Sequence, residues 1–336
     1  MEAELLSVRD LSVSFTTESG TAHVLDSVSF SLMPGEIMGL VGESGCGKTT
    51  LARSVLGALP ANAIVSGTSM RFDGRDLLTI DPLVAAADVR GRLIAFVPQD
   101  PFSAFNPLFT VGDQIVELLR WKSPDRMPGE RGYSRQRRRA DRERILALLR
   151  TVQLPDPERM LRKYPHELSG GQRQRLMIAM ALLPAPKLIV ADEPTTALDV
   201  TIQAQILKLL RQLARETGVS VLFTTHDLGA AWEICDRVTV MYAGQVLETA
   251  PIEAFARQPM VPYTSMLLAS LPSVDTALRG IPGDLPNLVA PPMGCRFNPR
   301  CPKASDICRT TRPAPVEAQP NHLVYCHHPL TLDAAV

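Results

Sequence analysis

The stretch GESGCGKT, residues 42–49, fits the pattern G-x-x-x-x-G-K-[ST]. It lies between an apolar segment, EIMGLVG, and a run with helical spacing, KTTLARSVLGAL. Strand, glycine loop, helix is the order in which this pattern has physical meaning. Gly42, Gly45 and Gly47 let successive backbone N–H groups turn inward. Together with the positive end of the following helix they cradle phosphate oxygens. Lys48 is placed to neutralise charge on the β and γ phosphates, and the Thr49 hydroxyl to ligate Mg²⁺. Glu43, Ser44, Cys46 and Thr50 complete the lining of this loop, and the helix is expected to continue until Pro60.

Other stretches supply partners for such a loop. KLIVADEP ends an apolar strand in two carboxylates, with Asp192 suited to the magnesium shell and Glu193 to polarising a water. In LSGGQRQRLMIAMAL, residues 168–182, Ser169, Gly170, Gly171 and Gln172 open a helix and offer a second anion site, or a plain helix cap. VPQDP supplies Gln99, TTALD supplies Asp199 and TTHD supplies His226. These residues arrive in one order along one α/β pattern of alternating apolar strands and amphipathic helices.

The rest of the chain frames this core. Residues 5–40 alternate in strand fashion, with Phe15 on one face and TESGT as a turn. From about residue 102 to 185 the periodicity becomes helical, and RVTVMYAGQVLETA reads as a closing hairpin around Ala243 and Gly244. Beyond residue 258 prolines become dense and periodicity fades, the mark of a loop-rich extension. Lys plus Arg is 35 and Asp plus Glu is 35, so no overall field draws the molecule to nucleic acid. The one strongly basic run, RGYSRQRRRADRER, has acids interleaved and reads as a solvated helix face or partner contact. The acidic, alternating start does not resemble a secretion signal, and no 18-residue apolar run exists to span a membrane.

LSGGQ, joined to the phosphate loop and the carboxylate pair, resembles the signature of ABC ATPases. PQDPFSAFNPLFTVGDQI, ADEPTTALDVTIQAQIL, PYTSMLLASLP, FNPRCP and CHHPL resemble the ATP-binding subunits of bacterial dipeptide/oligopeptide importers. The resemblance implies an α/β, ABC-type P-loop NTPase with an antiparallel β subdomain, a RecA-like core, a helical subdomain and a Cys-containing C-terminal extension. The division it implies is 1–258 for the cassette, with a helical subdomain at about 102–185, and 259–336 for the extension. It further implies a Walker A loop at 42–49 and Gln99 as a sensor of γ-phosphate and Mg²⁺. His226 becomes the switch histidine, Phe15 the adenine platform, or a plain core Phe, and Asp199 a residue reaching across a dimer that sandwiches ATP. Mg²⁺ would be held by Thr49, Gln99 and Asp192, and catalysis would fall to Glu193, His226, Lys48 and Gln99.

The implied setting is a peripheral subunit on the cytoplasmic face of the inner membrane. Its partners would be two integral permeases, a paralogous ATPase and an extracytoplasmic substrate-binding protein, with peptides, nickel chelates or antimicrobial peptides as cargo. An iron- or redox-responsive regulatory subunit is the reading from another class, and a soluble ATPase acting on DNA or ribosomes lacks the broad basic face it would need.

Six cysteines are present, and four cluster late: Cys295, Cys301, Cys308 and Cys326, separated by 5, 6 and 17 residues. The spacing lacks the C-x-x-C pairs of ordinary zinc ribbons. Four thiolates suit zinc or an iron–sulfur cluster; the family resemblance favours [4Fe–4S], and His322, His327 and His328 keep a mixed Cys/His zinc site open. Two departures from the family stand out, Pro98 before Gln99 and Cys46 inside the phosphate loop, where a reactive thiol would expose the ATPase to alkylation or oxidation.

Overall fold

The computed structural model describes residues 3–127, 129–130, 132–196, 198–271 and 280–330. The chain divides into two compact units, one of residues 1–79 with 223–336 and the other of residues 80–222.

The first unit opens with a hairpin of β1 (Leu6–Thr17) and β2 (Gly20–Leu32). Leu6 and Val8 are buried, and so are Leu11 and Val13, two sets that differ by one residue in phase. A register shift between Val8 and Leu11, with Asp10 in the left-handed region at φ 52°, returns the second set to the buried face. Phe15 lies beyond it and is only half-buried. The apolar run Ile37–Val41 is β3, buried at every position as a strand covered on both faces must be. The glycine loop follows, then a helix over Lys48–Leu56. That helix stops short of the expected Pro60 because Gly57 turns left-handed at φ 58° and donates to the Arg53 and Ser54 carbonyls. Strands β4 (Ala63–Ser66) and β5 (Ser69–Phe72) pair with β1, and β6 (Arg75–Asp76) with β5, so the antiparallel sheet has five strands.

In the second unit β7 (Ile94–Val97) runs parallel to β8 (Leu188–Asp192). Between them in sequence come the helices Val111–Lys122, Arg135–Thr151 and Gly170–Leu182, and after β8 the helix Val200–Thr217. Most of the basic run faces solvent: Arg135, Arg138, Arg139 and Arg142 are exposed, and of its described arginines only Arg137 is buried. Ser134 caps the helix that carries it. Arg137 is buried between Glu130 and Asp141, Arg144 pairs with Asp125 and Asp141, and Arg139 pairs with Glu143. Asp141 is fully buried and also accepts from Ser123 and Tyr133. Arg137 and Arg144 thus surround a buried carboxylate, while the Arg139–Glu143 pair lies at the surface.

Past β9 (Ser220–Thr225), β10 (Arg237–Tyr242) and β11 (Gln245–Pro251) form the closing hairpin. Its turn residues, Ala243 at φ 45° and Gly244 at φ 83°, have the double left-handed conformation of a two-residue hairpin. β10 lies parallel to β3. The C-terminal stretch, expected to be loop-rich, also carries regular structure. Although 280–305 has no strand, β12 (Val316–Gln319) and β13 (His322–Val324) form a hairpin, and β13 pairs with β11. The strand order in this unit is therefore β12-β13-β11-β10-β3. The extension falls in the same compact unit as the glycine loop. The expected segment 259–336 includes 272–279 and 331–336, which lie outside the described residues.

Candidate active site

In the first unit, the phosphate loop connects β3 to the helix Lys48–Leu56, with Gly47 at its N-cap. Gly42, at φ 149°, lies so close to β10 that a Cβ there would stand 2.1 Å from the Met241 carbonyl oxygen. Gly47, at φ 105°, faces Leu25 and the Val24 carbonyl, 2.8 and 3.2 Å from where its Cβ would be. Both positions need glycine for space as well as for φ. Lys48 is buried, and its Nζ donates to the Gly42 carbonyl at 2.9 Å and the Glu43 carbonyl at 3.2 Å. Inside the loop the ammonium has carbonyl dipoles as partners, groups that phosphate oxygens can replace.

Cys46 overturns the expectation drawn from its thiol. Its side chain is 1% exposed, tucked against Gly42 and Lys48, and burial pushes its pKa up against the opposing pull of Lys48. A protonated, enclosed sulfur is a poor target for alkylation or oxidation. Its backbone carbonyl does structural work, accepting the Gly244 N–H at 2.8 Å from the β10–β11 turn.

Glu43 has its backbone N–H on the Tyr263 hydroxyl at 3.0 Å and its carboxylate on Arg300, at 2.8 and 3.1 Å. Neither Tyr263 nor Arg300 was picked out as a site residue by sequence reasoning. The signal available was the pair FNPRCP and PYTSM, which marks the extension but not what it touches. Ser44 and Gly45 form the exposed crest of the loop, while Thr49 and Thr50 open the helix. Phe15, half-buried on β1, is not a core residue. His226 follows β9 and is exposed, and Asp227 caps the next helix by accepting from Gly229 and Ala230.

The second unit holds the other set. Asp192 ends β8 with 3% exposure, and Glu193 follows in the left-handed region at φ 46°. Gln99 Nε2 donates to Glu193 Oε2 at 3.3 Å, and Thr196 Oγ1 donates to the same oxygen at 3.1 Å. The glutamine and the glutamate, far apart in sequence, are thus brought together. Ser169 and Gln172 form a reciprocal capping box at the start of the helix Gly170–Leu182. Gly171 lies against Ile202, 3.0 Å from where its Cβ would be. Asp199 caps the helix Val200–Thr217 by accepting the Ile202 N–H at 3.0 Å. Gly170, Gly171 and the amides around them therefore present a helix N-terminus braced by a second capped helix.

In the first unit Cys295, Cys301, Cys308 and Cys326 all line one small cavity with His327 and His328. None is in a disulfide. Burial, followed by the charge of the neighbouring thiols, pushes Cys295 and Cys326 each up to about 11. Among the described residues no three His, Cys, Asp or Glu side chains stand where they could hold one metal ion. His322 is elsewhere: its Nε2 meets Glu248 Oε1 at 2.6 Å, with both side chains fully buried. His327 meets the Thr311 carbonyl and His328 the Ser305 hydroxyl.

Residues 25–196, with the loop, the carboxylate pair and the capped LSGGQ helix, match the ABC transporter family. This chain belongs to the ABC transporter ATPases. Residues 247–308 of the ATPase match the oligopeptide/dipeptide transporter C-terminal region. It is 45% identical over 327 residues to a probable peptide ABC transporter ATP-binding protein of Sinorhizobium fredii, covering 96% of this chain and 94% of that one. It is 43% identical to the dipeptide transport ATP-binding protein of Bacillus subtilis, with the same coverage. Among solved structures, a dimeric ATP-binding cassette in a post-hydrolysis state bound to ADP and Pi superimposes with a TM-score of 0.61 at 28% identity. That likeness covers 74% of this chain and 98% of the other. The ABC ATPase acts on ATP, with Mg²⁺ as the expected metal. Among its described residues no helix is long and apolar enough to cross a membrane.

Proposed function

We propose that this ABC ATPase hydrolyses ATP to energise import of di- and oligopeptides, and that it works on the cytoplasmic face of the inner membrane. Its partners in this reading are two integral permeases, a paralogous ATPase subunit and an extracytoplasmic substrate-binding protein. The observation that carries the reading is the joining, in one chain, of a complete set of cassette motifs to the oligopeptide/dipeptide C-terminal region.

The side chains divide the work as follows. Lys48 exchanges the Gly42 and Glu43 carbonyls for β- and γ-phosphate oxygens. Thr49, Gln99 and Asp192 would hold Mg²⁺, which would neutralise phosphate charge, and Glu193 directs the attacking water. The hydrogen bond from Gln99 keeps the Glu193 carboxylate oriented, and because Gln99 is also one of the residues that would hold Mg²⁺, it links the site to the segment that follows it. His226 contacts the γ-phosphate. Ser169, Gly170, Gly171 and Gln172 offer their amides to a nucleotide held by a partner subunit, with Asp199 supporting them at the dimer face. Phe15, accessible on β1, stacks on adenine.

The segment after Gln99 leads to an open groove of about 1500 Å³ in the second unit, lined by residues that include Phe109, Val116 and Trp121. Phe109 and Trp121 are about half exposed. A short permease helix with an apolar face is the occupant that suits it.

The four thiols are proposed to hold a [4Fe–4S] cluster. Such a cluster would take its ligands from four thiolates. The four cysteines line one cavity, which suits that ligand set. When bound, the group ties a proline-rich segment together and contributes folding free energy.

The test is to purify the complex anaerobically with its neighbouring gene products. Copurification with two permeases, ATP-dependent peptide uptake and iron with acid-labile sulfide are expected. Uptake of nickel chelates or antimicrobial peptides instead would replace the cargo, zinc would replace the cluster, and absence of permeases would end the transport reading.

A further inference from the structure

The thiol-bearing extension grips the phosphate loop. Arg300, one residue before Cys301, is 4% exposed, and each of its five N–H donors has a partner. Nη1 bonds Glu43 Oε2 at 2.8 Å and the Tyr242 hydroxyl at 3.1 Å. Nη2 bonds Glu43 Oε1 at 3.1 Å and the Ile281 carbonyl at 2.8 Å, and Nε bonds the Pro282 carbonyl at 2.9 Å. The two bonds to Glu43 form the parallel fork that a guanidinium makes with a carboxylate, an arrangement an ammonium cannot copy. Glu43 follows Gly42 in the loop, and its own carbonyl accepts from Lys48.

The grip has a second arm. Arg296, next to Cys295, donates to the Ala243 and His23 carbonyls. Ala243 precedes Gly244, whose N–H holds the Cys46 carbonyl. Between the arms, Phe297 packs edge-on against Tyr242 and Tyr263, with ring centroids 5.0 and 5.1 Å apart, and Tyr263 accepts the Glu43 N–H. The segment 295–301, bounded by two thiols, therefore fixes both the first residue after Gly42 and the turn behind Cys46.

We infer that Arg300 is a positioning residue for ATP: by clamping Glu43 it holds the phosphate loop, and with it Lys48 and the loop amides, in the geometry that receives the phosphates. It touches no reacting atom. This inference rests on the reading of residues 42–49 as the phosphate site, and a Lys48→Ala control separates failure of that reading from failure of the clamp.

The experiment measures Mg²⁺-ATP binding with a fluorescent ATP analogue, and KM and kcat in the intact complex, for Arg300→Ala, Arg300→Lys, Glu43→Gln and the Arg300→Ala/Glu43→Gln double variant. Loss of the clamp is expected to weaken ATP binding and raise KM roughly tenfold, less than the ~100-fold that a 1 Å misplacement can cost. The kcat at saturating ATP should stay within about twofold, since a loss of ground-state binding raises KM alone. Arg300→Lys recovers only part of the affinity, and the double variant is no worse than Arg300→Ala. Should Arg300→Ala fail to fold, Glu43→Gln, which leaves the extension's own packing in place, decides. Wild-type affinity in Glu43→Gln, or losses that add in the double variant, overturns the clamp. If Lys48→Ala still binds ATP normally, it is the phosphate-loop reading that falls.

Discussion

Replacing Glu248 by Ala should destabilise the first unit by about 3–9 kcal/mol, and the structure supplies the arithmetic. Glu248 is fully buried on β11. Its carboxylate meets His322 Nε2 at 2.6 Å, the Met260 N–H at 2.8 Å and the Val261 N–H at 3.2 Å. Truncation strands these three donors, and each polar group left unsatisfied out of water costs about 1–3 kcal/mol. The histidine ring is already short of one partner, because among the described residues its buried Nδ1 meets no hydrogen-bonding group. Glu248→Gln keeps one acceptor oxygen and turns the other into a donor, so its cost should be roughly half. His322→Ala removes one of the three donors and should restore about 1–2 kcal/mol when combined with Glu248→Ala. Urea unfolding followed by far-UV circular dichroism measures these differences as shifts in midpoint at constant slope. A loss below about 1 kcal/mol for Glu248→Ala would refute the reasoning, because it would mean that water or other groups satisfy what the carboxylate satisfies now.

Glu193→Gln should retain ATP binding and lose hydrolysis by about 10²–10⁴-fold, the usual contribution of a general base; single-turnover assays that show wild-type cleavage would remove Glu193 from that role. Cys46 should resist maleimide labelling at pH 7 in the native protein and react after unfolding, as read by peptide mass spectrometry, because burial keeps its thiol protonated and enclosed. The Tyr133 phenol is pushed up to about 12, first by burial and then by its hydrogen bond to Asp141. A raised folded pKa gives stability that is complete below the ordinary value near 10 and fades as pH rises toward 12. Tyr133→Phe should therefore flatten the alkaline fall between those limits in urea titrations, and an unchanged slope would contradict it.

The local features of this ATPase were readable because they are local. The phosphate loop needs glycine at 42 and 47 for space that β10 and β2 occupy, and a sequence pattern registers that need directly. The capping box at Ser169 and Gln172, and the double left-handed turn at Ala243 and Gly244, are equally short in range. The buried pairings were not readable in this way. Nothing in RGYSRQRRRADRER tells which arginines face water and which surround Asp141, because burial there depends on Ser123 and Glu130 approaching from the preceding segment. The strand His322–Val324 has three residues, too few for periodicity to announce, and it exists because β11 offers it an edge. Arg300 and Glu43 are separated by most of the chain, so their fork is visible only once the fold has closed. Reading Cys46 as reactive considered the chemistry of the thiol without the enclosure that Gly42 and Lys48 build around it.

The order of synthesis gives the grip on Glu43 a further meaning. The phosphate loop leaves the ribosome well before Tyr263, Arg300 and the strand that closes on β11. N-terminal segments of a nascent chain generally fold first. Here the loop's glutamate waits for an arginine 257 residues further along, so the capacity to hold ATP firmly comes well after the nucleotide motifs have been made. A ribosome-bound fragment, or a protein truncated after the cassette, carries every residue of the nucleotide motifs and lacks the fork that holds their first loop in place.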